Sequence, residues 1–269
     1  MSANRERNDR KAGWDPSRGK GGKPFRRGPG RASDAEAKDW VWGLHAVEAA
    51  LANPARPEAK RFLVTPDRAR KYEGRKGLEI FDAHDIARQL PQGAVHQGLA
   101  LKVDPPEPLS IDEIGADPAG VLVMLDQITD PQNVGAIFRS AAAFGAKGVI
   151  LQDRHAPALS GALAKAAAGA VDKLPHAVAV NLSRALERLA DLGWRAVGLD
   201  GSAEATLDEA LDGRPTVLVL GSEGEGIRRL VAEHCDTLAK IPMPGGFESL
   251  NVSNAAAIAL YEAARQTRA

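Results

Sequence analysis

Val121-Leu-Val-Met-Leu-Asp-Gln-Ile-Thr-Asp-Pro-Gln-Asn-Val-Gly-Ala-Ile-Phe-Arg139 runs from five consecutive apolar residues through a proline turn into a helical pattern. An apolar run with no polar face predicts a strand covered on both sides, as in a parallel sheet. Similar runs recur at 147–151, 177–180, 194–199, 216–220 and 238–241, with helical segments at 134–144, 158–170, 182–192, 226–234 and 252–266. This alternation predicts an α/β domain over 119–269, an open sheet with helices on both faces. Ligands of such sheets gather at the carboxyl ends of the strands, so the strand-to-helix loops are where chemistry is sought.

Outward from this domain the pattern changes. Residues 104–118 hold Pro105, Pro106, Pro108 and Pro118 among acidic residues, which reads as a linker. Before it, 39–103 alternates short strands at 61–65 and 98–103 with helical patterns at 70–77 and 82–90, and Trp40–Leu51 leads in through an amphipathic helix. That predicts a small α/β module. Its stretch 56–76 carries eight Lys and Arg (Arg56, Lys60, Arg61, Arg68, Arg70, Lys71, Arg75, Lys76), a pattern that suits a phosphate backbone and equally an ordinary solvated face. Residues 1–38 are glycine-rich without hydrophobic period and carry a net charge of +6, against −6 for 39–269. They read as a disordered basic arm, able to release counterions from RNA or simply to keep the chain soluble.

Composition narrows the classes. Hydrophobic residues make up 44% of the 269, enough for a core, so wholesale disorder is excluded. The single cysteine, Cys235, excludes an internal disulfide framework, fits a reducing cytoplasm and reads as a packing residue. The six histidines show no ligand spacing, so no metal is expected. No apolar run approaches a membrane span, and no signal peptide is visible.

Three loops stand out. In the first, Asp130-Pro131 makes a turn, Asn133 reads as the N-cap of the next helix, and Gly135 and Arg139 share a helix face, which lets a backbone or a ligand approach beside a guanidinium. An ordinary cap and a solvent arginine account for the same residues singly. The second, Leu220-Gly-Ser-Glu-Gly-Glu-Gly-Ile227, follows a buried strand, and its glycines permit close backbone approach. It contains neither the phosphate-loop nor the dinucleotide fingerprint, and Glu223 and Glu225 repel a pyrophosphate. An acidic glycine loop suits S-adenosylmethionine, a cation without phosphate, better than a nicotinamide dinucleotide. In the third, after Ile241 and a Pro/Gly loop, Ser249, Asn251 and Ser253 crowd the start of an alanine-rich helix, more small polar groups than capping needs.

Together the three segments resemble the SpoU class of the SPOUT trefoil-knot RNA methyltransferases, over roughly residues 40–268. The match lies near the subgroup that 2′-O-methylates a guanosine of 23S ribosomal RNA. It rests on Asn133, Gly135 and Arg139; on Gly221, Glu223, Gly224 and Gly226; and on Ile241, Pro242, Ser249, Leu250 and Asn251. Gly93-Ala-Val-His-Gln-Gly98 resembles the segment that closes the family's ribosomal-protein-like RNA-binding domain, and Phe247-Glu248 is bulkier than usual before Ser249. The resemblance implies a parallel α/β sheet with a C-terminal knot, an obligate homodimer with the site near its interface, and S-adenosylmethionine held around Gly221, Ile241 and Leu250. It further implies that Asn133, Arg139, Glu223, Ser249 and Asn251 carry the chemistry. Ribosomal RNA is the implied substrate; transfer RNA, or a non-catalytic RNA-binding protein on the same fold, are the alternatives.

Overall fold

The computed structural model describes residues 39–245 and 249–266; the basic arm, and Phe247 with Glu248, lie outside the described residues. The chain order is β1 (Trp40–Trp42), α1 (Leu44–Ala52), β2 (Arg61–Val64), α2 (Pro66–Ala69), β3 (Leu78–Ile80), α3 (Ala83–Arg88) and β4 (Leu99–Lys102), then α4 (Ile111–Gly115), β5 (Val121–Leu125), α5 (Pro131–Ala143), β6 (Gly148–Gln152), α6 (Gly161–Ala167), β7 (His176–Ala179) and α7 (Leu182–Asp191). It ends with β8 (Arg195–Leu199), α8 (Leu207–Ala210), β9 (Thr216–Leu220), α9 (Arg229–Ala232), β10 (Thr237–Ala239) and α10 (Val252–Gln266).

The apolar runs form a six-stranded sheet, all parallel, in the order β10-β8-β9-β5-β6-β7. Side chains of β5 alternate between faces, as a strand requires. Val123 and Leu125 join a core with Ile137 and Phe138 of α5 and Ala256 and Leu260 of α10, whereas Leu122 and Met124 join one with Leu186 and Leu189 of α7 and Val231 of α9. Both faces are therefore covered, which is why the run carries no polar residue. α7 shows the matching helical period: Leu182, Ala185, Leu186 and Leu189 are buried. The chain builds β5, β6 and β7 outward to one side. It then crosses back to β8, inserts β9 beside β5 and finishes at β10, so β5 and β9 flank the point where strand order reverses.

The small module is a four-stranded sheet, β1-β4-β2-β3, with β1 and β2 antiparallel to β4 and β3 parallel to β2. Two of its strands go beyond the sequence reading. Trp40–Trp42 is an edge strand, not a lead-in, and Leu78–Ile80 pairs where a helix over 70–77 precedes it in the expectation. That helix stops after α2 and a single 3-10 turn at Arg70–Tyr72, because Gly74 and Gly77 adopt φ of +80° and +74°. The 104–118 segment is not bare linker. Ser110 and Glu113 form a capping box at the start of α4, and Leu109 bridges to Ala177 of β7.

The module is fastened to the sheet domain by a buried charge pair. Arg56 donates through Nε to Asp172 Oδ1 at 2.6 Å and through Nη2 to Oδ2 at 3.2 Å, with side chains 1% and 2% exposed. Its Nη1 takes the Asp104 carbonyl, and Asn53 adds a bond to Asp172. Burial, aided by the Arg56 charge, pushes the nearby His176 imidazole down to about 4, so this joint holds a neutral histidine.

Candidate active site

The first loop begins with a change from the sequence reading. Asp130, not Asn133, caps α5: its Oδ1 accepts from Gln132 N at 3.1 Å, and Pro131 takes the first helical position, where a missing N–H costs nothing. Asn133 therefore lies in the first turn with its amide free for long-range bonds. Gly135 serves packing. A Cβ there would stand 2.5 Å from the Leu163 carbonyl oxygen and 2.7 Å from Ala166 Cβ, so the backbone that approaches is that of α6. Arg139 lies about 9 Å further along α5 and about a third of a turn round from Asn133. It is exposed and makes no hydrogen bond or ion pair with any described residue.

The second loop folds onto itself. Ser222 and Gly226 exchange two backbone hydrogen bonds, at 3.1 and 3.0 Å. Gly224 and Gly226 take φ of +92° and +68°, and a Cβ on Gly221 would stand 2.0 Å from the Gly226 carbonyl carbon. This tight turn replaces the first part of the expected 226–234 helix, leaving only Arg229–Ala232 helical. The fully buried Asp126, at the end of β5, ties it to the first loop. Asp126 accepts from Arg228 N and Arg228 Nε, both at 2.8 Å. Sequence reasoning passed over Asp126; a carboxylate directly after a buried strand, which needs a cationic partner, was the available signal.

The third loop supplies the group that joins them. Asn251 caps α10, its Oδ1 accepting from Ser253 N at 2.9 Å and Ser253 Oγ at 2.6 Å. Its Nδ2 spends both hydrogens elsewhere, on Glu223 Oε1 at 2.7 Å and Asn133 Oδ1 at 3.0 Å. Asn133 Nδ2 donates to the same Glu223 oxygen at 3.1 Å, and Val252 N does so at 3.3 Å. Asn133, Glu223 and Asn251 thus form a closed triangle, one residue from each loop. Oε1 of Glu223 accepts three N–H groups, while Oε2 has no partner among the described residues.

Beside the triangle, at the carboxyl ends of β8, β9 and β10, lies a cavity of about 400 Å³. Gly221, Ile241, Leu250, Ser249 and Glu223 line it, together with Leu199, Asp200 and Lys240. The structure brings all the sequence-predicted residues except Arg139 to this cavity or the triangle. Asp200 and Lys240 were not anticipated, since neither has a spacing that marks it. The lining mixes aliphatic side chains with three carboxylates, of Asp200, Glu223 and Glu225, against one ammonium. An adenosine-sized body bearing positive charge fits that donor set and volume; a pyrophosphate does not.

The model of the SpoU rRNA methylase family matches residues 120–261, just over half the chain. The chain belongs to this family. A second family model, RNA 2′-O ribose methyltransferase substrate binding, matches residues 40–109, so the SpoU domain is preceded by a module of its own kind. An uncharacterized tRNA/rRNA methyltransferase of Mycolicibacterium gilvum is 45% identical over 201 residues, 72% of this chain and 63% of the relative's length. The match thus spans less than two thirds of that curated relative. The SpoU methyltransferase AviRb from Streptomyces viridochromogenes, in complex with AdoMet, superposes with a TM-score of 0.73 at 27% identity, over 86% of this chain and 90% of that one. An AdoMet-bound rRNA methyltransferase from Sinorhizobium meliloti gives 0.70 at 27% identity, over 84% and 86%. Among the described residues of this SpoU chain, no helix is long and apolar enough to cross a membrane.

Proposed function

We propose that this SpoU chain transfers a methyl group from S-adenosylmethionine to a ribose 2′-hydroxyl of RNA, with a guanosine of 23S ribosomal RNA in the cytoplasm as its target. The observation that carries the reading is the Asn133–Glu223–Asn251 triangle on the rim of an acidic, partly apolar cavity. Ribosomal RNA is favoured over transfer RNA because the match to the rRNA methyltransferase of Sinorhizobium meliloti covers 84% of this chain, more than the sheet domain alone. The trefoil threading of the C-terminal segment belongs to the same reading.

S-adenosylmethionine supplies an electrophilic methyl group on a sulfonium. Gly221, Ile241 and Leu250 would hold its adenosine at the strand ends, and the carboxylates of Asp200 and Glu225 suit its positive charge. The triangle holds the ribose. With Oε1 of Glu223 already taken, its Oε2 accepts from a ribose hydroxyl, and the crossed amide bonds keep that oxygen in place without reorganisation. Ser249, at the cavity rim, offers a further hydroxyl to the sugar. A guanidinium stays protonated at any working pH, so Arg139 stabilises the developing alkoxide, and a phosphate or water takes the proton. A homodimer completes the assembly. Phe144 and Tyr261 meet edge to face at 5.9 Å on the surface with Ile258 one turn away, an exposed apolar patch that a second copy covers.

The test is to incubate the purified chain with labelled S-adenosylmethionine and either ribosomal or transfer RNA, then map 2′-O-methyl nucleosides by mass spectrometry. A labelled guanosine in 23S RNA, lost with Asn251→Ala, is expected. Label confined to transfer RNA replaces the target, and label on neither RNA removes the activity.

A further inference from the structure

A second concavity, of about 610 Å³, lies between the small module and the sheet domain. One wall is the Pro91–Val95 segment. The first turn of α5 lines the concavity too, at Pro131 and Gln132, together with Pro157, Gly161 and Trp42. Pro131 and Gln132 immediately precede Asn133, so this groove and the catalytic triangle share the first turn of α5.

Lys165 is the one ionisable residue in the lining. Its Nζ donates to Gln97 Oε1 at 2.6 Å, and no carboxylate lies within ion-pair distance of it among the described residues. That sets it apart from most cations of the module. Arg56, Lys60, Arg61, Lys71 and Lys76 are all paired with carboxylates of this chain, and Arg75 donates to the Leu51 carbonyl. Burial without a counter-charge lowers the Lys165 pKa, a cost that an anion in the groove relieves. Gln97 holds the lysine from a strained backbone, with φ of +54°, and also accepts from Leu44 N at 3.2 Å. Arg68, without a partner among the described residues, lies over the adjoining Gly98.

We infer that this groove receives a nucleotide of single-stranded RNA adjacent to the one being methylated, its phosphate on Lys165 and its base between the proline-lined walls. The inference rests on the methyl-transfer reading and extends it to how the substrate strand is held. The chemistry matches part by part. Proline and valine surfaces at Pro91, Val95, Pro131 and Pro157 suit the flat face of a base, the amides of Gln92 and Gln132 reach its edges, and an unpaired ammonium suits a backbone phosphate. A protein segment or an acidic small molecule does not call for all three.

The experiment measures binding of a fluorescent single-stranded RNA decamer of random sequence to the full chain at several salt concentrations, with S-adenosylmethionine binding followed by calorimetry on the same preparations. Lys165→Gln is expected to weaken RNA binding roughly fivefold and to lower the salt slope by about 0.7, the loss of one single-strand phosphate contact. Val95→Trp fills the groove from an exposed position; it is expected to weaken RNA binding by a similar factor with the salt slope unchanged. Both variants are expected to bind S-adenosylmethionine as the parent does. Parent-like RNA affinity in both variants, or no RNA binding by the parent, overturns the groove. A parent that binds RNA but not S-adenosylmethionine overturns the methyl-transfer reading instead, and the decamer measurements then still judge the groove.

Discussion

A methyl group on Gly221 would sit 2.0 Å from the Gly226 carbonyl carbon and 2.2 Å from Ile227 N, closer than any real contact. Gly221→Ala therefore opens the Ser222–Gly226 bridge and displaces Glu223 with it. We expect S-adenosylmethionine affinity to fall at least about tenfold by calorimetry, while a urea midpoint reports a stability loss of about 1–3 kcal/mol, the range for overpacking. Affinity equal to the parent's would show that the loop does not shape the cavity. The glycine itself was legible in the sequence, but its reason was not. A glycine-rich loop reads as room for a ligand, whereas Gly221 makes room for the loop's own backbone. Asn133, Glu223 and Asn251 were likewise legible, as a helix cap, an acidic loop residue and one of a crowd of small polar groups in the three strand-to-helix loops. Their mutual bonds were not, because these span 90, 118 and 28 residues of chain and no local pattern encodes them.

For elements, hydrophobic period located all six strands of the parallel sheet within one or two residues, since the inner strands are buried on both faces and their composition reports that directly; β10, at Thr237–Ala239, is one residue shorter than expected. Helix ends were less legible. α5 begins three residues before Val134 because Asp130-Pro131 is a better cap and first-turn pair than the asparagine that follows. β1 and β3, at three residues each, are too short for any period to appear. The joint between module and sheet domain was invisible, because Arg56 counts as a surface cation until Asp172, 116 residues on, is placed beside it. Arg56→Met leaves the Asp172 carboxylate buried and unpaired, so the chain is expected to lose about 3–5 kcal/mol in urea unfolding. The double variant Arg56→Met/Asp172→Leu is expected to recover most of that, since removing both charges leaves nothing to desolvate. A single variant as stable as the parent would show that the pair does not bear on the fold.

On the scale of the whole molecule, one residue stands apart from the site it was expected to join. Asn133, Glu223, Ser249 and Asn251 converge within one chain, but Arg139 is exposed on α5, about a third of a turn round from Asn133. We propose that in the homodimer Arg139 reaches the other copy's triangle instead of its own. The homodimer proposed above therefore predicts a site made of two chains, and mixing crippled chains tests it. Arg139→Ala and Asn251→Ala are each expected to be inactive alone. If Arg139 acts across the interface, a heterodimer of the two variants holds one site with both defects and one with neither. Random re-association of an equal mixture then restores about a quarter of the parent rate, from half the dimers with one working site each. If Arg139 acts within its own chain, every site in the mixture carries one defect and no activity returns. Methyl incorporation into RNA after mixing, dissociation and re-association separates the two outcomes. A mixture as inactive as its components, with heterodimers verified by mass spectrometry, would assign Arg139 to its own triangle and require α5 or its arginine to move when substrate binds.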